Sequence, residues 1–502
     1  MFRDTLEKRI KMLSIFIIFL FILLTAFVIK AFMFQDEDNI KKLASQYEKT
    51  IQTYYPRGAI LDRNGINFAD NSANKKLNVS LQNNTSFNVG KTFIGNIRIN
   101  EDTTTKDAVE GLSGLELYYN ELLNGGTPIN IISSIDATGS IINEENYTAV
   151  NDHLNEGNTV NTTVDYHLQK YTEEYLKKFL KENNFKGGSV VVTDVKTGEI
   201  LTMVSSDETL NKNVLSYQPG SVFKILTLAQ ALENNAVDLK EEFNCTGKIK
   251  IDGVTRYCHE GEGHGKITAL EGLSKSCNEV FYRLAKRLNI KDDKGNIISN
   301  KVIDYAKELG FGSINDKTNK NKKFILEYDD YYSFVPDNIY NNLDTFNLAL
   351  GQGKVQATPL MLNTIMSAVA NGGIGYQPYI VESVKNTSDD IVDIKQNQIF
   401  DLKLKESTIK NLQKALRMVC VDGTAKSNSL DSYGGLAGKT GTAENHEKES
   451  PHAWFSGYFP YNNPKYAMTV FIENGGYGSG PALKVFDSVA LEMMNIENDK
   501  GI

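Results

Sequence analysis

Three short clusters in this chain join a nucleophile to groups that can move its proton. The first is Gln218-Pro219-Gly220-Ser221-Val222-Phe223-Lys224. Pro219-Gly220 breaks the chain and an apolar helical pattern begins at once, so Ser221 and Lys224, three apart, share one face of a turn. A serine at a helix start meets free N–H groups whose partial positive charge favours a developing oxyanion. A lysine beside it acts as base once its neighbours depress its pKa. Read alone, the pair has a commoner meaning, an N-cap serine ahead of a surface lysine.

The second cluster is Ser276-Cys277-Asn278, between two helical patterns. A hydroxyl and an amide so placed can share a proton relay and a substrate hydrogen bond; alone, the pair also reads as a helix cap. The third is Gly438-Lys439-Thr440-Gly441-Thr442-Ala443 on a predicted strand. Alternation sends Lys439 and Gly441 to one face, Thr440 and Thr442 to the other. Gly441 admits a second backbone, Lys439 offers a positive charge, and Thr442 offers a hydroxyl for a carboxylate. The same tripeptide recurs at Lys196-Thr197-Gly198, so its weight comes from company and order.

The elements that must position these groups read as an α+β domain. Helical periodicity covers 166–183, 221–233, 268–288, 301–309, 358–371, 406–420 and 483–494. Strands fit 188–195 and 199–204, joined by a turn, and then 436–443, 453–459 and 466–473. Strands at both ends and helices between them predict a mostly antiparallel sheet with a helical insertion. The predicted division is a cytoplasmic tail (1–11), a transmembrane anchor (12–34), an irregular α+β pedestal (35–160) and the main domain (161–497). Within the pedestal, 36–53 reads as a polar helical stalk and 114–123 as a helix.

Residues 12–29 carry no charge and nearly cross a ~30 Å hydrocarbon core. Arg3, Lys8, Arg9 and Lys11 precede them, and Asp36, Glu37 and Asp38 follow. The positive-inside rule then puts the N-terminus in the cytoplasm and the rest outside, on a single uncleaved span. A net charge of −8 with no long basic run excludes nucleic acid as the expected partner.

Serine-x-x-lysine, serine-x-asparagine and a late lysine-threonine-glycine strand form, in this order, the set of β-lactamases and penicillin-binding proteins. The chain as a whole resembles the class B penicillin-binding proteins. Arg57-Gly58-Ala59-Ile60-Leu61-Asp62-Arg63-Asn64-Gly65 is similar to that family's N-terminal signature, and Gly114-Leu115-Glu116 to the segment after it. Gly351-Gln352-Gly353 with Thr358-Pro359-Leu360, and Ala453 to Tyr458 after the third motif, extend the likeness.

The resemblance implies a penicillin-binding, β-lactamase-like transpeptidase domain that cross-links peptidoglycan stem peptides ending in D-Ala-D-Ala. Ser221 would attack the carbonyl between the two D-alanines, Lys224 would take its proton, and Ser276 would relay it to the leaving group. Asn278 would hold the substrate amide, and Lys439 would tune the field. Thr440, Gly441 and Thr442 would bind the terminal carboxylate, with the backbone N–H groups of Ser221 and Thr442 as oxyanion hole. β-Lactam antibiotics would trap Ser221 as an ester, with no cofactor. A multi-pass glycan polymerase of the FtsW/RodA type is the implied membrane partner. A D,D-carboxypeptidase or β-lactamase on the same fold, or a non-catalytic β-lactam sensor or scaffold, are the competing readings.

Cys245, Cys258, His259 and His264 have types and spacing that could bind zinc. A Cys245–Cys258 disulfide or two plain thiols is the simpler expectation, with no catalytic metal. Cys277 stands where β-lactamases favour aspartate.

Overall fold

The computed structural model describes residues 2–33, 48–54, 57–68, 89–99, 109–124, 129–135, 147–150, 157–313, 326, 332–386, 388–394, 398–444, 450–477 and 480–500. The chain forms two compact units, Met1–Pro56 with Gly126–Asn155, and Arg57–Gly125 with Glu156–Ile502.

The first unit opens with helix α1 (Phe2–Met33). Its stretch Glu7–Lys30 has a mean hydropathy of 3.1 and is long and apolar enough to cross a membrane. An antiparallel sheet follows, in the order Glu48–Tyr54, Ile129–Ser134, Tyr147–Val150. The stalk helix expected over 36–53 is thus corrected for its last part, which is strand; 34–47 lies outside the described residues. Thr50 pairs with Ile132. A partner so distant in sequence overrides a polar stretch that reads as helix locally.

The second unit is built on helices α2 (Tyr166–Asn183), α3 (Lys224–Glu233), α4 (Ala269–Ser274), α5 (Asn278–Arg287), α6 (Pro359–Ala370), α7 (Glu406–Val421) and α8 (Pro481–Lys500). Its main strands are β1 (Gly187–Asp194), β2 (Ile200–Ser205), β3 (Ala437–Ala443), β4 (His452–Phe459) and β5 (Tyr466–Glu473). They form one sheet in the order β3-β4-β5-β1-β2, antiparallel throughout. The sheet is closed from both ends of the chain, as the strand distribution predicted.

Both faces of this sheet are buried, and side-chain alternation assigns each residue its layer. Along β4, Trp454 and Tyr458 enter one core, with Phe471 and Val191 from neighbouring strands. Phe455 and Phe459 enter the other, with Val470 and Val190. On the first face lies α6, all twelve residues buried, which is why its sequence is apolar all round. Thr358 caps it, accepting from the Met361 N–H at 3.0 Å, and Pro359 occupies the first turn. On the second face lie α2 and α8, where Phe455 meets Phe486 edge-on at 4.8 Å between ring centres.

The signature at 57–65 is tied into this unit. Ile60–Leu61 pairs parallel with Thr159–Thr162, which pairs antiparallel with Val381–Lys385. The buried Asp62 carboxylate accepts from the backbone N–H groups of Asn64, Ile66 and Tyr166. Arg57 is buried against Glu116, with Nη2 and Oε2 2.6 Å apart, and it also donates to Asn120 Oδ1 and the Glu116 carbonyl. The Gly114–Leu123 helix is present as two short pieces, Gly114–Tyr118 and Asn120–Leu123.

Candidate active site

Ser221 lies on a single 3₁₀ turn, Gly220–Phe223, that leads into α3, and the α-helix itself begins at Lys224. The expected continuous helix from 221 is therefore tightened over its first turn. Gly220 explains the tightening. It holds φ 54, and a Cβ there would sit 2.3 Å from the Thr442 carbonyl oxygen. Only glycine lets the Ser221 turn lie this close to the edge strand β3. The Gly351-Gln352-Gly353 loop closes over the same place: Gly351 O accepts from the Gly220 N–H at 3.0 Å, and Gln352 Nε2 donates to Thr442 O at 3.3 Å.

Lys224 is fully buried. Its Nζ donates to Ser276 O at 2.7 Å, Asn278 Oδ1 at 2.9 Å and Ser276 Oγ at 3.3 Å. The first two clusters are therefore one hydrogen-bonded set. Burial pushes the Lys224 amine down to about 8, against smaller upward pulls from Cys277 and Cys258. The Phe281 ring centre lies 5.4 Å from Nζ, an apolar wall that contributes to this desolvation.

Ser276 sits at the break between α4 and α5 with φ 52, a left-handed conformation that a serine holds only when its surroundings impose it. Backbone bonds impose it here: the Ser276 N–H donates to Leu273 O at 3.1 Å and the Cys277 N–H to Gly272 O at 2.8 Å. The same turn makes Cys277 the cap residue of α5 and Asn278 its first residue.

Lys439 is also fully buried, on β3 opposite Ser456. Its Nζ donates to Thr440 O at 3.0 Å and Thr440 Oγ1 at 3.3 Å. Burial, and then the charge of Lys224, hold its amine well below the usual lysine range. Thr440 is buried and Thr442 half-buried. Gly441 has no room for a side chain, since a Cβ would lie 2.8 Å from Pro219 O.

One residue that the motifs did not announce ties the third cluster to the second. Thr424 Oγ1 is 2.7 Å from Thr440 Oγ1, and the Thr424 N–H donates to Ser274 O at 3.2 Å. It follows α7 in a turn whose sequence, Asp422-Gly423-Thr424, carries no chemical signal of its own.

Of the two simpler expectations for Cys245 and Cys258, a disulfide or plain thiols, the disulfide is corrected. All four are free and buried, so no Cys245–Cys258 disulfide is present. Cys245, Cys258, His264 and Cys277 converge beside the second motif, and His259 stands outside that set. The Cys258 and Cys277 sulfurs are 3.9 Å apart. Their mutual hydrogen bond holds the Cys258 thiol down and pushes the Cys277 thiol up.

Comparison with known proteins agrees with this architecture. Residues 188–491 match the penicillin binding protein transpeptidase domain. Stage V sporulation protein D of Bacillus subtilis is 31% identical over 393 residues, covering 73% of this chain and 57% of that protein. Peptidoglycan D,D-transpeptidase MrdA of Haemophilus influenzae is 24% identical, covering 74% and 61%. The chain thus spans about three-fifths of the length of these two relatives. Among solved structures, penicillin binding protein 3 of Mycobacterium tuberculosis superposes with a TM-score of 0.68 at 22% identity, over 89% of this chain and 97% of that one. A chain from a peptidoglycan synthase complex superposes with a TM-score of 0.67 at 22% identity, over 96% and 97%.

Proposed function

The chain belongs to the penicillin-binding protein transpeptidase family, and from that premise we propose that it is a membrane-anchored serine D,D-transpeptidase. It cross-links peptidoglycan stem peptides through an acyl-enzyme on Ser221. The observation that carries this reading is the buried Lys224 amine, bonded at once to Ser276 and Asn278 and lowered toward neutrality.

The chemistry follows from those positions. Neutral Lys224 accepts the Ser221 hydroxyl proton as Oγ attacks the carbonyl between the two terminal D-alanines. The backbone N–H groups of Ser221 and Thr442 receive the oxyanion, on the two segments that Gly220 brings together. Ser276, within 3.3 Å of Lys224 Nζ, passes the proton to the departing D-alanine amine. The terminal carboxylate binds at Lys439, Thr440 and Thr442, and its charge favours the protonated form of Lys439. An amine of a second stem peptide then takes the acyl group and frees Ser221. β-Lactams enter as analogues of the D-alanyl-D-alanine end and stop at the Ser221 ester. The relatives carry names of this activity, peptidoglycan D,D-transpeptidase among them.

Helix α1 supports a single-pass anchor, and the basic residues ahead of it support an N-terminus in the cytoplasm with the catalytic domain outside. A glycan-polymerising membrane partner is in keeping with the likeness to a chain of a peptidoglycan synthase complex.

The test is labelling by a fluorescent penicillin. Wild type should form a stable covalent adduct, and Ser221→Ala should form none. Adduct formation by the alanine variant at the wild-type rate would remove Ser221 from its role. Rapid release of hydrolysed antibiotic from wild type would indicate a β-lactamase. Incubation with lipid-linked substrate and polymerised glycan should give cross-linked dimers; free D-alanine alone would indicate a carboxypeptidase.

A further inference from the structure

We infer that the outward face of one small hairpin beside the second motif, carrying Lys248, Lys250 and Tyr257, docks the part of a glycan strand that stays outside the Ser221 cleft. Its occupant is the sugar and the carboxylate-bearing stem peptide next along the strand. The inference rests on the transpeptidase reading, because it extends the substrate of that same site.

The hairpin pairs Lys248–Ile251 with Val254–Tyr257. Alternation divides its side chains between two faces. Ile249 and Ile251 turn inward, Ile251 fully buried and Ile249 packed at the edge of the core. Directly opposed residues share a face. On the outward one, Lys248 stands opposite Tyr257 and Lys250 opposite Thr255, and all four are exposed. This surface therefore joins two cations, a hydroxyl and an aromatic ring, with no acid among them. The Tyr257 ring is 68% exposed. Neither lysine takes part in an ion pair among the described residues. Two positions apart on a strand, the lysines are rooted about 7 Å from each other.

The face is held against the site at both ends. At its base the Tyr257 carbonyl accepts from Asn278 Nδ2 at 3.3 Å, and the Oδ1 of that amide accepts from Lys224 Nζ at 2.9 Å. At its tip the Asp252 carboxylate accepts from the Asn342 N–H at 3.2 Å and from Asn342 Nδ2 at 2.8 Å. Asn342 opens the helix Asn342–Ala349, which leads into the Gly351-Gln352-Gly353 loop above the Ser221 turn. A two-stranded hairpin alone is marginal. Tied at base and tip, it becomes a platform that begins at the residue expected to hold the substrate amide.

Charge complementarity selects the occupant. Each stem peptide ends in a carboxylate, and an uncross-linked strand repeats it. One stem enters the cleft, and its neighbour on the same strand stays outside with its own carboxylate. Exposed lysines attract that carboxylate within a Debye length, about 8 Å at physiological ionic strength, and hold it weakly. The Tyr257 ring offers a flat apolar surface with a polar tip, which suits the C–H face of a sugar. A β-lactam carries no such neighbour and does not reach this face.

The experiment uses the full chain in detergent and fluorescent, uncross-linked glycan strands with intact stem peptides. Binding is read by anisotropy, with Ser221 free and again after penicillin has blocked it. Wild type should bind in both states, more weakly as salt rises. Lys248→Gln with Lys250→Gln should weaken binding roughly 2- to 30-fold, the range for two exposed ion pairs, and flatten the salt dependence. Its penicillin acylation rate should match wild type, and in cross-linking its KM for strands should rise with kcat unchanged. Strands stripped of their peptides should not distinguish this variant from wild type, whereas Tyr257→Ala should weaken both kinds of strand. Lys291→Gln with Lys294→Gln, the same charge change on another exposed hairpin, should alter nothing. Wild-type strand affinity and salt dependence in the Lys248, Lys250 variant overturn the inference. So does slowed penicillin acylation in that variant, which would give the lysines a part in the cleft itself. Loss of binding to anionic lipid vesicles with strand binding kept assigns the face to the membrane and also overturns it. Strand binding by the penicillin-blocked chain needs no catalysis, so its absence strikes this inference, whereas failure to cross-link with binding kept strikes the reading of the reaction.

Discussion

Two buried charge clusters lie in the same folded unit and are built on opposite principles. Around Arg57, the guanidinium meets the Glu116 carboxylate at 2.6 Å and directs its remaining donors to Asn120 Oδ1, Asn124 Oδ1 and a backbone carbonyl. Around Lys224 and Lys439, two amines are fully buried and no carboxylate is bonded to either among the described residues. Every N–H donor of Arg57 has a partner. The two lysines are both pushed down, by burial first and, for Lys439, by the other lysine next. Charge that is paired holds a fold; charge that is buried without its counter-ion waits for one to arrive or for a proton to leave. On the proposed function, the first arrangement belongs to architecture and the second to chemistry.

Substituting one member of each cluster should break the comparison in opposite directions. Lys224→Met keeps much of the side chain's bulk and removes the base, so penicillin acylation should fall by roughly 10²–10⁴-fold. Its thermal midpoint should hold or rise, because an expensive buried amine has gone. A fall in midpoint with acylation intact would reverse the reading of Lys224. Arg57→Met strands the Glu116 carboxylate, whose burial already raises it above the usual carboxylate range against the pull of Arg57. The expected cost is about 3–5 kcal/mol of stability. Chemical denaturation should record that loss, while the folded fraction acylates at close to the wild-type rate. Slow acylation in fully folded Arg57→Met would show that the two clusters are coupled.

The pH response sharpens the same contrast. Below about 8 Lys224 is mostly protonated and cannot accept from Ser221, so the acylation rate constant should rise roughly tenfold per unit toward pH 8 and flatten above it. The linked effect on stability has a fixed sign. The folded chain releases the Lys224 proton near 8 and the unfolded chain only in the ordinary lysine range. Between those values the unfolded state binds more protons, so stability rises with pH across that window. Acylation that is flat from pH 6 to 9, measured by stopped-flow with a chromogenic cephalosporin, would show that Lys224 is not the base.

What the sequence disclosed tracks how local each feature is. Ser221 and Lys224 were legible because three residues of helix or 3₁₀ turn put them on one face, and Lys439 because strand alternation and a glycine mark β3. The sheet was legible because β4 and β5 are apolar at nearly every position and β1 and β2 form a hairpin. Pairings distant in sequence were not. The strand Glu48–Tyr54 reads as polar helix until Ile129–Ser134 lies beside it. The sequence names His259 and His264 together, and the Cys245–Gly265 register brings His264 to both Cys245 and Cys258, whereas His259 lies 3.9 Å from Cys258 Sγ. Cys277 is in sequence only the middle residue of the second motif, and the fold places its sulfur 3.9 Å from Cys258 Sγ.

Thr424 offers the finest test of how the two lysine sites communicate. It is not charged and touches neither Ser221 nor Lys224 in any hydrogen bond given by the structure, yet it joins Thr440 at 2.7 Å to the end of α4 through Ser274. Thr424→Val preserves shape and β-branching but leaves Thr440 Oγ1 without that partner. Lys439 Nζ, 3.3 Å from the same Oγ1, then loses part of its frame. One neutral hydrogen bond is worth about 0.5–1.5 kcal/mol, which corresponds to a loss of roughly 2- to 12-fold. If Thr424 positions the carboxylate site, the loss should fall on β-lactam affinity before acylation, with the limiting acylation rate and its pH midpoint unchanged. A shift of that midpoint would instead mean that Thr424 acts on Lys224, through the α4–α5 turn and not through β3.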